Sequence, residues 1–196
     1  MSRGWIALAA LLTALAGCAK TPTDVRPDCA CAGEPVVDPA LLAFLSKARA
    51  AHHEADLAEE QGDHARAIHA LDALARGPRP RPQGGAPAPE AAEVLADTLA
   101  RLADLRSQSG DFAAAQRDVE QGLALAVAPS HFRGHLFEME GVVHERRAKS
   151  LATAGDAPGA AQAKAKAIES FETAIKIQDQ VINDALEGKR SARDGG

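Results

Sequence analysis

Seven histidines and three cysteines are the side chains of this sequence best suited to holding a metal or a reactive centre. His131 and His135 stand four residues apart, which puts both on one face of a helix, and Glu138 follows one turn on. Two imidazoles and a carboxylate in that arrangement suit zinc. The trio lacks the Glu beside the first His that H-E-x-x-H enzymes use as a general base. A solvated polar face near a helix start accounts for the same residues. His52 and His53 are neighbours, so their rings diverge and cannot share an ion. Cys29 and Cys31 form C-x-C rather than the C-x-x-C of redox motifs, in a stretch that offers no further ligands. A disulfide, local or between chains, is the expected use of that pair in an oxidising compartment.

Other reactive patterns are missing from the sequence. Gly84-Gly85 lies among prolines, not between a strand and a phosphate-binding helix, and there is no G-x-S-x-G elbow. No catalytic residue and no cofactor are therefore assigned, and an enzyme is not expected. The 196 residues carry a net charge of −5 and are only 3% aromatic, with no basic stripe, so nucleic acid is not an expected partner. Length and composition suit one folded domain of ordinary size.

The first eighteen residues are set apart from the rest. Arg3 precedes the uncharged apolar run Ile6 to Ala16, a charged start and short hydrophobic core of the kind found in secretory signals. As a helix that run spans about 16 Å, roughly half of a bilayer core, too short for a permanent span. Leu15-Ala16-Gly17-Cys18 then resembles the lipobox of bacterial lipoproteins. The resemblance implies that residues 1–17 are a cleaved signal peptide and that Cys18 carries the lipid, a diacylglyceryl on its sulfur and an acyl chain on its amine. Several acyl chains anchor stably where one does so only marginally. With Ala19 rather than Asp after the Cys, the sorting rules of that family imply the periplasmic face of an outer membrane. Residues 18–37 carry three Pro and few large apolar side chains, and read as a flexible tether.

From there the spacing predicts helices alone. Asp38-Pro39 is a helix start, with a capping carboxylate and a Pro whose missing N–H costs nothing there. Leu41, Leu42, Leu45, Ala48, Ala51 and Ala55 give the first apolar face, and Gly62-Asp63 turns the chain. Ala67, Ile68, Leu71 and Leu74 face inward on the second helix, which stops at Gly77-Pro78. Residues 77–89 hold five Pro and three Gly and read as an exposed loop. Glu90 to Ser109 is the third helix, through Val94, Leu95, Leu99, Leu102 and Leu105. After Gly110-Asp111, Phe112, Ala115, Val119, Leu123 and Val127 make a fourth, running up to Pro129. Ser130 caps a fifth, with Phe132, Leu136, Phe137, Met139, Val142 and Val143, to about Thr153. A turn over residues 155–159 leads to a sixth with Ala167, Ile168, Phe171, Ala174, Ile175 and Val181 inward. The helical domain thus covers 38–187, and 188–196 reads as a disordered polar tail.

Residues 61–67 and 109–115 align without gaps, 48 apart, or 35 once the thirteen-residue loop is subtracted. Together with Leu99, Leu102 and Ala103, with Gly110, Asp111, Phe112 and Ala115, and with the run Ala167 to Ile175, this resembles the tetratricopeptide repeat. The usual bulky aromatic of the first helix is replaced by Ala51 or Leu99, and the third hairpin is longer in both arms. The resemblance implies an all-α fold of three antiparallel hairpins stacked as a short solenoid, with a groove lined by the first helix of each. In register, the groove would be lined by Arg49, His52, Asp56 and Glu59, then Asp97, Asp104 and Gln108, then His135, Glu138 and Glu145. Carboxylates predominate in that set, so a basic or amide-rich segment is the expected ligand.

Two functions follow as expectations. One is a lipid-anchored adaptor or pilotin-like assembly factor that grips an envelope protein or a peptide segment of one. The other is a ligand- or metal-binding lipoprotein using the His-bearing third hairpin. Three repeats are near the minimum for a solenoid, so a homodimer through the last helix (Ile175, Ile177, Val181, Ile182, Leu186) or capture of a partner would complete the core.

Overall fold

The computed structural model describes residues 38–194, apart from 82–84 and 86. The signal peptide, Cys18, the tether with Cys29 and Cys31, and the middle of the Pro/Gly loop lie outside the described residues. Among those described there are six helices and no strand, so the fold is all-α. They are α1 Pro39–Glu60, α2 His64–Ala75, α3 Pro89–Gln108, α4 Phe112–Leu125, α5 His131–Thr153 and α6 Ala157–Asp194.

Every helix start but that of α3, which opens on Pro89 after Ala88, is capped by a side chain. Asp38 accepts from the Ala40 amide at 2.8 Å, and Ser130 from that of Arg133 at 3.2 Å. Three turns are built on one plan. Gly62, Gly110 and Gly155 adopt φ of 73°, 81° and 82°, the left-handed conformation that ends a helix and that glycine tolerates best. Each Gly amide reaches back three residues, and the amide of the following Asp reaches back five, for example Asp63 to the Ala58 carbonyl at 2.8 Å. The Asp63, Asp111 and Asp156 carboxylates then cap the next helix, on the amides of Arg66, Ala114 and Gly159. The third copy, 45 residues after the second, extends the 48-residue repeat legible in the sequence.

The helices pair in order, α1 with α2, α3 with α4 and α5 with α6. In addition α3 packs against both α1 and α2, and α5 against both α3 and α4. Ala55, Ala58, Ala67, Leu71, Leu99, Leu102 and Leu105 form one cluster of the core between the first two pairs. Ala103, Ala115, Val119 and Val143 form another between the second and third. Alanines alternate with leucines and valines in these contacts.

Four features depart from the expectations. First, α4 ends at Leu125, and Val127 is 74% exposed instead of facing inward. Pro129 disfavours helical backbone at Ala128 and stops the helix early. Second, α6 begins at Ala157, so Pro158 and Gly159 lie in its first turn and not in the loop; Asp156 caps it, and Pro costs no hydrogen bond there. Third, α6 continues to Asp194 through the stretch expected to be a disordered tail. One Gly costs about 1 kcal/mol against Ala in a helix, and no Pro follows to stop it. Fourth, Leu42, Ile168 and Ile175, assigned to apolar core faces, are exposed, whereas Phe44, Ala163 and Ser170 are buried.

Candidate interaction surface

The residues expected to line a groove lie on α1, α3 and α5, and the structure ties most of them into side-chain networks. On α1, His52 sits against α3. The Thr98 hydroxyl donates to the Val94 carbonyl at 2.7 Å and accepts from His52 Nε2 at 2.9 Å. That geometry places a proton on Nε2 of the imidazole. Burial lowers the pKa of His52 from 6.5, with Asp97 pulling the other way. Asp56 and Glu59 both receive Arg101 of α3: its Nη2 is 2.5 Å from Asp56 Oδ1, and its Nε is 3.2 Å from Glu59 Oε1.

One junction further along, the same design recurs. Arg146 of α5 donates to Asp104 Oδ1 at 2.6 Å and to Ser107 Oγ at 2.6 Å on α3. Gln108 holds the other Asp104 oxygen at 2.8 Å. Asp56 and Asp104 are 48 residues apart and Arg101 and Arg146 are 45 apart, the same offsets as the glycine turns. The arginines on α3 and α5 thus reach back to a carboxylate at a fixed position on the first helix of the preceding pair. The expected acidic excess is corrected by this finding: Asp56, Glu59 and Asp104 are already matched by guanidinium groups, which reduces their pull on a basic ligand.

The remaining expected residues are more dispersed. His135 bonds Glu138 at 3.2 Å within α5, and Glu145 pairs with Lys149 at 2.8 Å. The hydrogen bond from Lys149 lowers the pKa of the exposed Glu145. Arg49 lines a shallow depression on α1 with Ser46, His52, His53 and Asp56. The His131 and His135 rings stack with centroids 6.2 Å apart. Among the described residues, no three His, Cys, Asp or Glu side chains are grouped to hold a metal ion. His131, His135 and Glu138 lie side by side along one face of α5.

Behind this strip, two hollows lie where the helix pairs meet, both overlooked by the sequence reading. In the first, of about 450 Å³, Arg106 of α3 donates to Asp72 of α2 at 2.7 Å and to both oxygens of Asp118 of α4 at 2.6 Å. Asp118 is buried, and burial pushes its carboxyl up to about 6 against the opposing pull of Arg106. In the second, of about 430 Å³, Gln116 and Ser170 donate to the two oxygens of Glu140 at 3.2 and 2.9 Å. His144 lines it, 7% exposed, with its Nδ1 buried and without a hydrogen-bond partner among the described residues.

No protein-family model, curated protein or solved structure matches the chain. The geometry above therefore carries the functional argument. None of the described helices is long and apolar enough to cross a membrane. The offsets that relate Arg101 to Arg146 were available in the sequence, and aligning Gly155-Asp156 with the two earlier turns would have revealed them.

Proposed function

We propose that this chain is a lipid-anchored protein of the cell envelope that acts as an adaptor, with its helix pairs forming a short tetratricopeptide-like stack. The observation that carries the reading is the repetition. Three helix pairs share one glycine–aspartate turn, and two arginines at equivalent positions bind the first helix of the preceding pair. Serial helix pairs fastened this way present broad surfaces rather than one deep pocket, which suits them to other proteins more than to small substrates. The anchor rests on the lipobox-like Leu15-Ala16-Gly17-Cys18. Assembly or pilotin-like work on an envelope complex fits both features. The alternative, ligand or metal binding at the third hairpin, would use the His131–His135–Glu138 face of α5.

Covalent capture in whole cells tests the reading: a C-terminal tag, crosslinking, solubilisation of the envelope and identification of what is bound. A strain carrying Cys18→Ala is the parallel sample. Recovery of one envelope complex with the native chain, and its loss with Cys18→Ala, is the expected result. Recovery of nothing but the chain itself would remove the adaptor reading. Unchanged membrane association of the Cys18→Ala chain would remove the anchor.

A further inference from the structure

The hollow between α4, α5 and α6 differs in kind from its counterpart one repeat earlier. With the repeat offsets of 48 and 45 residues, Asp72 corresponds to Glu120, Arg106 to Leu151 and Asp118 to Ala163. Two members of the ion triad that fills the first hollow are thus apolar in the second. In exchange Leu99 and Leu102, 2% and 0% exposed, correspond to His144 and Arg147. Two core positions have become polar, and both line the hollow. Packing alone gives no reason for that exchange, because burying an imidazole without a partner costs free energy that burying leucine does not. A smaller hollow of about 190 Å³ lies beside it, between α5 and the start of α6. His144, Arg147 and Lys166 line both. Nine residues separate Glu140 from His131, a net half-turn, so the larger hollow opens on the side of α5 opposite His131.

The charges around the larger hollow are sorted by sign. Gln178 meets His131 and Ser170 meets Glu140, so α6 runs back along α5 and Lys166 falls level with His144. Glu140, Lys166 and Arg147 all lie close enough to act on the charge of His144. Its Nδ1 is buried without a hydrogen-bond partner among the described residues, and a half-turn of the ring offers a nitrogen to either side. Two cations and an imidazole N–H make a corner suited to a carboxylate. The other end is acidic. Gln116 meets Glu140 and Gly122 approaches Leu136, so α4 also runs antiparallel to α5 and carries Glu120 toward Phe137. Among the described residues, Arg147, Lys166, Glu120 and Glu169 are exposed and no ion pair engages them. Between the ends stand the Gln116 amide and the hydroxyls of Ser170 and Thr173, groups that can pair with peptide N–H and C=O. Seven residues of α5, about 10 Å, separate Glu140 from Arg147, and three residues of extended peptide span about 10 Å. We propose that this hollow binds a free peptide of two or three residues, its carboxylate at His144, Arg147 and Lys166 and its ammonium toward Glu120, Glu140 and Glu169. The site goes beyond the adaptor reading and does not depend on it.

The test uses the full chain in detergent micelles, with its histidines labelled for nuclear magnetic resonance. Three probes are titrated: trialanine, its N-acetyl form and its C-terminal amide. Trialanine is expected to shift the His144 imidazole signals, which are assigned by their loss in His144→Leu. Acetylation and amidation each remove one charge, and each is expected to weaken binding by about tenfold. Arg147→Gln is expected to weaken trialanine by about tenfold and to leave it no better than its amide. Glu169→Gln is expected to narrow the gap between trialanine and its N-acetyl form. Arg147 and Glu169 are exposed, so both replacements leave the core intact. No shift of the His144 signals by about 10 mM trialanine overturns the site. An N-acetyl form or an amide that binds as tightly as trialanine overturns it too, since one end of the hollow then reads no charge. A preference for trialanine over its amide that survives Arg147→Gln places the carboxylate elsewhere and overturns the assignment. Cellular capture is a separate readout: a failed peptide site leaves the adaptor standing, and failed capture leaves the peptide site standing.

Discussion

The two junctions of the stack share a plan and differ in what joins them. Where α2, α3 and α4 meet, Arg106 lies between Asp72 and Asp118 and ties three helices together by charge. Where α4, α5 and α6 meet, close approach replaces charge. A Cβ on Gly122 would run into the side chain of Leu136, which is fully buried, and one on Gly141 would lie 2.6 Å from the Phe171 ring. The polar group at this second junction is Glu140, held by the neutral donors Gln116 and Ser170. Similar helix-on-helix geometry can thus be secured by a desolvated ion triad or by missing methyl groups. The triad depends on pH and on every member being present. The glycine contacts depend on volume alone.

The largest effect separating the junctions should come from Arg106→Met. It leaves Asp118, 3% exposed, without its cation, and removing one partner of a buried pair costs about 3 kcal/mol or more. Urea unfolding at pH 7 should show that loss, and it should shrink at pH 5, where the unpaired Asp118 can take up a proton. A loss below about 1 kcal/mol, the range of a surface pair, would mean the triad does not hold the first junction. Gly122→Ala probes the second junction. Ala gains about 1 kcal/mol over Gly as a helix former, while overpacking a core costs typically 1–3 kcal/mol, so a net loss of about 1 kcal/mol is expected. Gly188→Ala is the sign control, because its Cβ meets nothing within 4 Å and only the helix gain remains. Equal and favourable shifts from both substitutions would remove close approach from the comparison.

These contrasts mark where sequence reasoning reached and where it stopped. The all-α fold and the starts at Asp38, Asp63, Asp111 and Ser130 were legible because caps and turns are decided by a few neighbouring residues. Inner faces were legible where large apolar residues repeat, as at Leu71, Leu99 and Leu102. On α6 the reading found the inward Ala167 and Ala174 but missed Ala163, and it placed Ile168 and Ile175 inward where they lie outside. Residue type ranks Ile above Ala for burial, but a close helix contact reverses that order. At the candidate surface, reading one helix at a time found the acids Asp56, Glu59 and Asp104 but not their arginines, 42 to 45 residues away. Arg106 and Asp118 left no local sign, because a charged residue on a helix looks solvated until its neighbours are known.

The smallest expected effect is also the one in which the junctions should move in opposite directions. Burial lowers the pKa of His144 from 6.5, Glu140 opposes this, and Lys166 and Arg147 add to it. The unfolded chain therefore protonates this histidine first as pH falls. The stability tied to its neutral form is present above pH 6.5 and is lost as pH falls from there through the lower native value. Asp118 has the reverse sign. Its carboxyl is pushed up to about 6 from 3.8, so the native state holds the proton more tightly, and the cost of ionising it is relieved as pH falls through that range. His144→Leu should flatten the acid side of the melting profile between pH 7 and 5, and Asp118→Asn should steepen it by removing the compensating carboxyl. His52, lowered in the same sense as His144, remains in both variants and leaves the difference between them intact. Parallel profiles for the native and His144→Leu chains would mean that the second junction carries no titrating group, and the contrast would then reduce to charge in one place and volume in the other.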